Sequence, residues 1–267
     1  MKWNLDIGGL IFRFVVFIII LFLIFPIIVT IIVSFNKSGF TLPPSGLTIQ
    51  WYIKALAYKD FISGMQVSLV VAIVSSGIAT ILGTLSAYAL TRYSFKGKDI
   101  INILIMAPLM VPVAILGIAI YMFMSKQGMF GGLYTLIIGH TILIMPFPAR
   151  AILASLQNFP RSLEEAALNV GASPPRAFIS ITLPIIKTGV IAGMMMAFII
   201  SWNDFALSLF LASPGWYPLP IQVYSYIKFV FDPTVSALIS TLIFFSFTFV
   251  ILIDRMVGIG TVMGTRK

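Results

Sequence analysis

The sequence predicts an all-α fold, a multi-pass membrane helical bundle with six transmembrane helices, organised as a single domain over residues 1–267. Three observations carry that prediction. The chain is 60% hydrophobic and only 9% charged, with mean hydropathy +1.07, which is more apolar surface than one water-soluble globule can bury. Its apolar residues gather into six long runs near the roughly 20 residues that a spanning helix needs. Its Lys and Arg residues are spread unevenly about those runs, as the positive-inside rule requires.

Taken in order, the first run is Phe14–Phe35, which no small-residue cleavage pattern follows, so it reads as a retained signal-anchor helix. An external loop, Asn36–Ser63, opens on the turn-rich Thr41-Leu42-Pro43-Pro44-Ser45-Gly46 and carries the interfacial aromatics Trp51-Tyr52. The second run, Val67–Leu90, is rich in Ser, Gly and Ala, which let helix backbones approach closely in lipid, and is expected inside the bundle. A short turn, Arg92–Asp99, leads to the third, Ile100–Met124, where Pro108 and Pro112 are expected to kink the helix. The fourth, Leu133–Ala149, is the shortest, carries His140 and ends in Pro146-Phe147-Pro148, where another break is expected. The fifth and sixth, Thr188–Ala212 and Val235–Ile253, flank a turn cluster, Ser213–Pro220, and a short re-entrant or interfacial helix, Ile221–Phe231.

With six spans and both ends on one side, Lys37, Lys54, Lys59, Lys126 and Lys228 fall on the opposite side and every other Lys and Arg on the side of the termini. That asymmetry places both termini in the cytoplasm and accounts for the net charge of +9 without any nucleic-acid partner. Cysteine is absent, which excludes disulfides and thiolate metal sites. The single histidine, His140, cannot assemble a metal site and reads as an interhelical hydrogen-bonding group. One histidine with no clustered carboxylates also supplies no catalytic constellation, so the chain is not read as an enzyme.

The polar stretch of about 150–187 is the most informative part. Pro160–Pro184 reads as two short helices joined at Gly171. Ser162 and Glu165 have capping-box spacing, Gly171 stands where a left-handed residue is wanted, and Ser173 followed by Pro174 and Pro175 opens a second helix that Pro184 stops or kinks. A well-capped hairpin explains those residues individually. It does not require the adjacent Ala166 and Ala167, nor the terminal Ile181-x-Leu183-Pro184.

Glu165-Ala166-Ala167, Gly171, Ile181, Leu183 and Pro184 together resemble the cytoplasmic coupling loop of permease subunits of type I ABC importers, whose fold is MetI-like. The resemblance implies that this loop docks on a separate ATPase subunit dimer, with Glu165 facing a basic or donor group and Gly171 setting the bend. The chain lacks a G-x-x-x-x-G-K-[ST] phosphate loop, so ATP and magnesium would be bound by that partner and no cofactor by this chain. A second homologous permease subunit, commonly a different chain, an extracytoplasmic solute-binding protein and the lipid of a bacterial cytoplasmic membrane are the other implied partners.

Further patches, Ser86–Lys98, Pro108–Pro112 and Pro218–Ser225, resemble the polyamine (spermidine/putrescine) branch and are shared with relatives handling phosphonates, iron or opine-type solutes. Within Ser201-Trp202-Asn203-Asp204-Phe205, Asp204 is an acidic residue placed in the hydrocarbon, where a lone charge costs about 2.5–3.5 kcal/mol. Two readings of it stand. Asp204, with Trp202 and Asn203, lines the substrate pathway and offers an ion pair and a cation–π face to an ammonium group; or Asp204 pairs with a neighbouring helix and locks the bundle. A secondary transporter or channel, which would need its own ion-coupling residues, and a passive subunit of a membrane complex are the competing functional classes.

Overall fold

The computed structural model describes residues 7–41 and 44–257, and the side chains of residues 8–41 and 44–248. Both termini, with Lys2, Arg266 and Lys267, and the Leu42-Pro43 pair of the external turn lie outside the described residues. The elements in order are α1 (Ile7–Ser34), α2 (Gln50–Ala57), α3 (Lys59–Arg92), α4 (Lys98–Met106), a 3-10 turn (Ala107–Leu109), α5 (Val113–Lys126), α6 (Leu133–Ile144), α7 (Pro146–Gln157), α8 (Ser162–Asn169), α9 (Pro174–Ala177), a π-helical turn (Phe178–Thr182), α10 (Leu183–Asn203), α11 (Ser208–Leu211), α12 (Leu219–Phe229) and α13 (Thr234–Val257). Among the described residues there is no strand, only the isolated bridges Asn36–Leu47 and Ser213–Trp216.

Four helical stretches among the described residues are long and apolar enough to cross a membrane: Gly8–Ser34, Lys59–Arg92, Leu133–Gln157 and Pro174–Asn203. The third expected span is instead a pair, Lys98–Leu109 and Val113–Lys126, meeting at 109°. Pro108 and Pro112 cause that bend, because each removes a backbone donor and Pro112 stands extended (φ −55°, ψ 131°) as the cap of α5. On the last span, the apolar stretch with described side chains is the shorter Thr234–Thr248. Six full-length spans are thus not reached by this measure.

Two other expectations are corrected. The break foreseen at Pro146-Phe147-Pro148 is slight: a one-residue turn at Met145 divides α6 from α7, yet Leu133–Gln157 continues as one span, with Pro146 in the first turn of α7 and the Ala149 N–H still reaching the Met145 carbonyl at 3.3 Å. The fifth span does not continue to Ala212. It ends at Asn203, Asp204 is extended (φ −71°, ψ 123°), and a new turn starts at Ser208.

The chain forms two compact units, Met1–Lys59 with Ser225–Lys267, and Asp60–Tyr224. In the first, α1 packs on α13 and α13 on α2. The apolar window of α1 is unburied, as suits a helix that is hydrophobic all round and lies in lipid. The turn after α1 is built on Asn36, whose fully buried amide donates to the Thr41 carbonyl (2.6 Å) and accepts from the Ser45 N–H (3.1 Å), while the Trp51 indole donates to the Asn36 carbonyl (2.8 Å). Asp232, ahead of α13, accepts from the Lys54 ammonium, the Tyr226 hydroxyl (3.1 Å) and the Thr234 N–H (2.9 Å). Burial alone would raise the Asp232 carboxyl, but hydrogen bonds from Lys54 and Thr234 outweigh it and hold its pKa below the ordinary value, and the same hydrogen bond raises that of Lys54.

In the second unit α3 supplies the inner wall. Most of its buried residues, among them Gly64, Ser68, Ala72, Ser75, Ala79, Gly83 and Ala87, are Gly, Ala, Ser or Thr, the others being Phe61, Val67, Val71 and Leu90, so neighbouring backbones come close. A Cβ on Gly83 would stand 2.9 Å from the Ala149 nitrogen, and the Ser75 hydroxyl donates to the Ile137 carbonyl of α6 (3.1 Å). The placement of this span inside the bundle is therefore as expected. A comparable approach joins α7 to α10, where a Cβ on Gly193 would stand 2.6 Å from the Pro148 Cα. Val71, Leu136, Ile144, Ala197, Leu207 and Leu211 fill the space between α3, α6, α10 and α11.

Candidate functional site

The hairpin is organised by local backbone chemistry. Gly171 has φ +91°, and the chain closes α8 with the Ala172 N–H on the Ala167 carbonyl and the Gly171 N–H on the Leu168 carbonyl, both at 3.0 Å. This paired closure is the Schellman arrangement, which needs a left-handed residue and so favours glycine at 171. Ser173 then turns the chain into α9 from an extended conformation, with Pro174 and Pro175 in the first turn, although its hydroxyl makes no capping bond. The expected Ser162–Glu165 capping box is not formed. Arg161 holds the cap position with helical dihedrals and no side-chain cap, and Glu165 reaches back to the Arg161 guanidinium at 3.1 Å on the exposed surface.

The predicted loop residues divide between outside and inside. Glu165 and Ala166 are exposed, Ala167 is buried, Ile181 and Leu183 are half-buried and Pro184 is exposed. Apolar side chains at the tip, Leu163, Leu168 and Val170, are open, Val170 to 86%. The hairpin therefore presents one carboxylate amid a small apolar surface, which suits a groove in another protein better than bulk water.

Sequence reasoning passed over the residue that anchors this hairpin. Glu164, beside Glu165, is buried and accepts from the Arg92 Nε through both oxygens (3.1 and 2.9 Å), while the Thr182 hydroxyl donates to its Oε1 at 2.7 Å. The Arg92 guanidinium lies over the Phe159 ring at 5.2 Å. One carboxylate thus joins the end of α3, the start of α8 and the π turn ahead of α10. A signal existed in the sequence: neighbouring helix residues point about 100° apart, so Glu164 and Glu165 cannot share a face, and Glu164 lies one turn from buried Ala167.

The second cluster lies at the broken end of α10. Asp204 accepts from the Ser208 N–H (2.9 Å) and hydroxyl (3.2 Å) and, more weakly, from the Leu207 N–H (3.4 Å), which caps α11. His140 of α6 is buried with Nδ1 on the Ser201 hydroxyl (2.8 Å) and Nε2 on the Ser208 hydroxyl (3.0 Å), and its Nε2 is 3.8 Å from Asp204. His140 is therefore the interhelical hydrogen-bonding group expected, with a carboxylate beside it that its position in the sequence did not reveal. Trp202 is buried, its ring stacked at 6.0 Å on Phe198, whereas Asn203 is exposed with its amide on the Ile199 carbonyl (2.9 Å). Of the three residues expected along the pathway, only Asn203 is open on the surface of this chain.

Comparison with known proteins agrees with this architecture. Residues 79–259 match the family described as the binding-protein-dependent transport system inner membrane component. The spermidine/putrescine transport system permease protein PotC of Escherichia coli is 32% identical over 230 residues, covering 86% of this chain and 87% of that protein. The putrescine transport system permease protein PotI of Escherichia coli is 32% identical over 224 residues, 81% of this chain and 80% of that protein. In the crystal structure of a bacterial ABC transporter that imports the acidic polysaccharide alginate, a chain superposes with TM-score 0.80 at 17% identity, covering 96% of this chain and 98% of its own. The methionine ABC transporter MetNI, in an inward-facing form, gives TM-score 0.62 at 21% identity over 74% of this chain and 94% of that chain. The fold is that of an ABC importer permease, and the protein belongs to the binding-protein-dependent transport system inner membrane component family.

Proposed function

We propose that this chain is the permease subunit of an ATP-driven importer that moves a small cationic solute of the polyamine class, such as spermidine or putrescine, across the bacterial cytoplasmic membrane by alternating access. The observation that carries it is the hairpin 162–184: a glycine-closed bend exposing Glu165, Ala166 and Val170, joined to the end of one long apolar helix and the start of another. Such a surface has no use in lipid. It fits a groove on an ATPase subunit, where ATP and magnesium would be bound and hydrolysed while this chain hydrolyses nothing. The cargo assignment is supported by the names of the two polyamine permeases at 32% identity.

In this reading six spans cross the bilayer, with the bent pair α4–α5 as one of them, and both termini and the hairpin face the cytoplasm. Two ATPase subunits, a second homologous permease of different sequence and an extracytoplasmic binding protein complete the assembly. Asn203 lies on the pathway at the open end of α10. Behind it, Asp204 supplies the negative potential that a passing ammonium group needs.

Purification of the assembly tests the whole reading. This chain is expected to be recovered with a nucleotide-hydrolysing subunit and a second permease, and to take up labelled putrescine into proteoliposomes only with ATP and the binding protein. An assembly without any ATP-hydrolysing component would overturn it. Gly171→Val forces a β-branched residue into the left-handed region and is expected to uncouple hydrolysis from uptake or to release the ATPase; intact coupling would count against docking through the hairpin. Asp204→Asn is expected to reduce uptake of a cationic solute with the complex still assembled, and wild-type uptake by this variant would remove Asp204 from the pathway.

A further inference from the structure

Glu164 is a buried carboxylate shared by three elements that are far apart in sequence, and the way Arg92 holds it is incomplete. An arginine normally grips a carboxylate through two nitrogens in a parallel fork. Here the Nε alone serves both Glu164 oxygens, at 3.1 and 2.9 Å, while Nη2 is buried without a hydrogen-bond partner among the described residues. Buried donors are rarely left unused, and one beside an underused fork marks a second seat that the carboxylate does not fill in this conformation. There is room to reach it. A cleft of about 210 Å³ opens beside the pair, lined by Tyr88, Arg92, Glu164, Leu168, Pro174 and Ala177.

The element carrying the third partner is itself irregular. Thr182, whose hydroxyl holds Glu164 Oε1 at 2.7 Å, closes the π turn Phe178–Thr182, and a π turn inside an α-helix is a local irregularity often found at functional sites. Thr182 is fully buried, so its hydroxyl has no water to fall back on if Glu164 leaves. A shift of α8 must therefore drag both the end of α3 and the root of α10 with it, or else strand a buried charge.

We propose that Arg92, Glu164 and Thr182 form the joint that transmits displacement of the hairpin to the spanning helices α3 and α10, Glu164 moving between the Nε seat seen here and the Nε–Nη2 fork. Arg92 and Thr182 are positioning residues in this scheme, acting through Glu164, and Glu164 differs from its neighbour Glu165 in facing the spans rather than a partner. The inference rests on the proposed importer function, since a joint needs a driven hairpin. It assigns to residues outside the coupling motif the step between docking and helix movement.

The test is the number of putrescine molecules taken up per ATP hydrolysed, measured in proteoliposomes holding the complete assembly with its binding protein. Arg92→Lys keeps the charge but offers a point donor instead of a fork, and it is expected to lower that ratio at least about five-fold, the lower end of ordinary coupling strengths. Thr182→Val keeps the shape and removes one hydrogen bond, and it is expected to lower the ratio about two- to three-fold. A purely structural pair would reduce the yield of assembled complex and leave the ratio of what remains unchanged. A wild-type ratio in both variants therefore overturns the joint; if Arg92→Lys does not assemble, a wild-type ratio in Thr182→Val overturns it alone. Should the unaltered assembly hydrolyse no ATP, it is the importer function that falls first, an outcome distinct from coupled wild-type transport with insensitive variants.

Discussion

At the hairpin, the buried Glu164 carboxylate is answered by a full positive charge from an element 72 residues away; at the break after α10, Asp204 is answered mainly by groups within four residues of itself. The first arrangement binds distant elements together and resists their separation. The second ends one helix and begins the next, with His140 as its bridge to another span among the described residues. Both carboxylates are hidden, yet one works as a link and the other as a stop. Burial of a charge in a membrane protein therefore does not by itself indicate a solute pathway; the sequence distance to its partners is the better guide to what it does.

The largest expected effect is at the link. Glu164→Ala leaves the Arg92 guanidinium buried without its partner and is expected to cost about 3–5 kcal/mol, read as a lower unfolding midpoint of the purified chain in detergent. Glu165→Ala, one residue on, breaks only an exposed pair with Arg161 and is expected to cost less than about 1 kcal/mol in the same measurement. Equal losses would erase the distinction between the two carboxylates.

At the stop, His140→Ala takes its partner from the buried Ser201 hydroxyl and one of two partners from that of Ser208, and is expected to cost about 1–3 kcal/mol, while His140→Asn, which keeps a donor and an acceptor, is expected to recover part of it. No recovery would mean that His140 acts by volume alone.

The smallest effect concerns the pair ahead of α13. The depressed pKa of Asp232 adds stability that is fully present above its ordinary value of 3.8 and is lost as pH falls through the lower folded value. Lys54 has the opposite sign: its raised pKa adds stability present below 10.5 that is lost as pH rises through the higher folded value. The difference in unfolding midpoint between the wild type and Asp232→Asn is thus expected to stay level from about pH 5 to 9 and to narrow only outside that range. A difference that changes steeply near neutral pH would contradict the pairing.

How much was readable in advance follows the same division between local and distant chemistry. The bend at Gly171, the prolines opening α9, the small-residue wall of α3 and the kink at Pro108 and Pro112 all depend on neighbours in sequence, and each was legible. Glu164 was not, because Arg92 and Thr182 reach it only through the fold. The capping box failed although its spacing was right, since Glu165 found Arg161 instead of a backbone donor. The end of α10 was misplaced because no proline or glycine marks it. The polar run Ser201-Trp202-Asn203-Asp204 was the available sign of a terminus, which is separate from whether those residues also line a pathway. At Pro146 the difference runs the other way: the prolines interrupt the helix for one residue only, because backbone bonds around Met145 and Ala149 carry the span across.

The π turn at Phe178–Thr182 sets a phase as well as a contact. Each residue of an α-helix advances the side-chain direction by about 100°, so the residue that a wide turn absorbs decides which flank of α10 is delivered to α7. Gly189 and Gly193, where an added Cβ would collide with Ser155 and Pro148, are on that flank only because the extra residue is there. Removing a single residue between 178 and 182 would swing bulky side chains into the seam, a change in angular register that no substitution at the seam itself could reproduce.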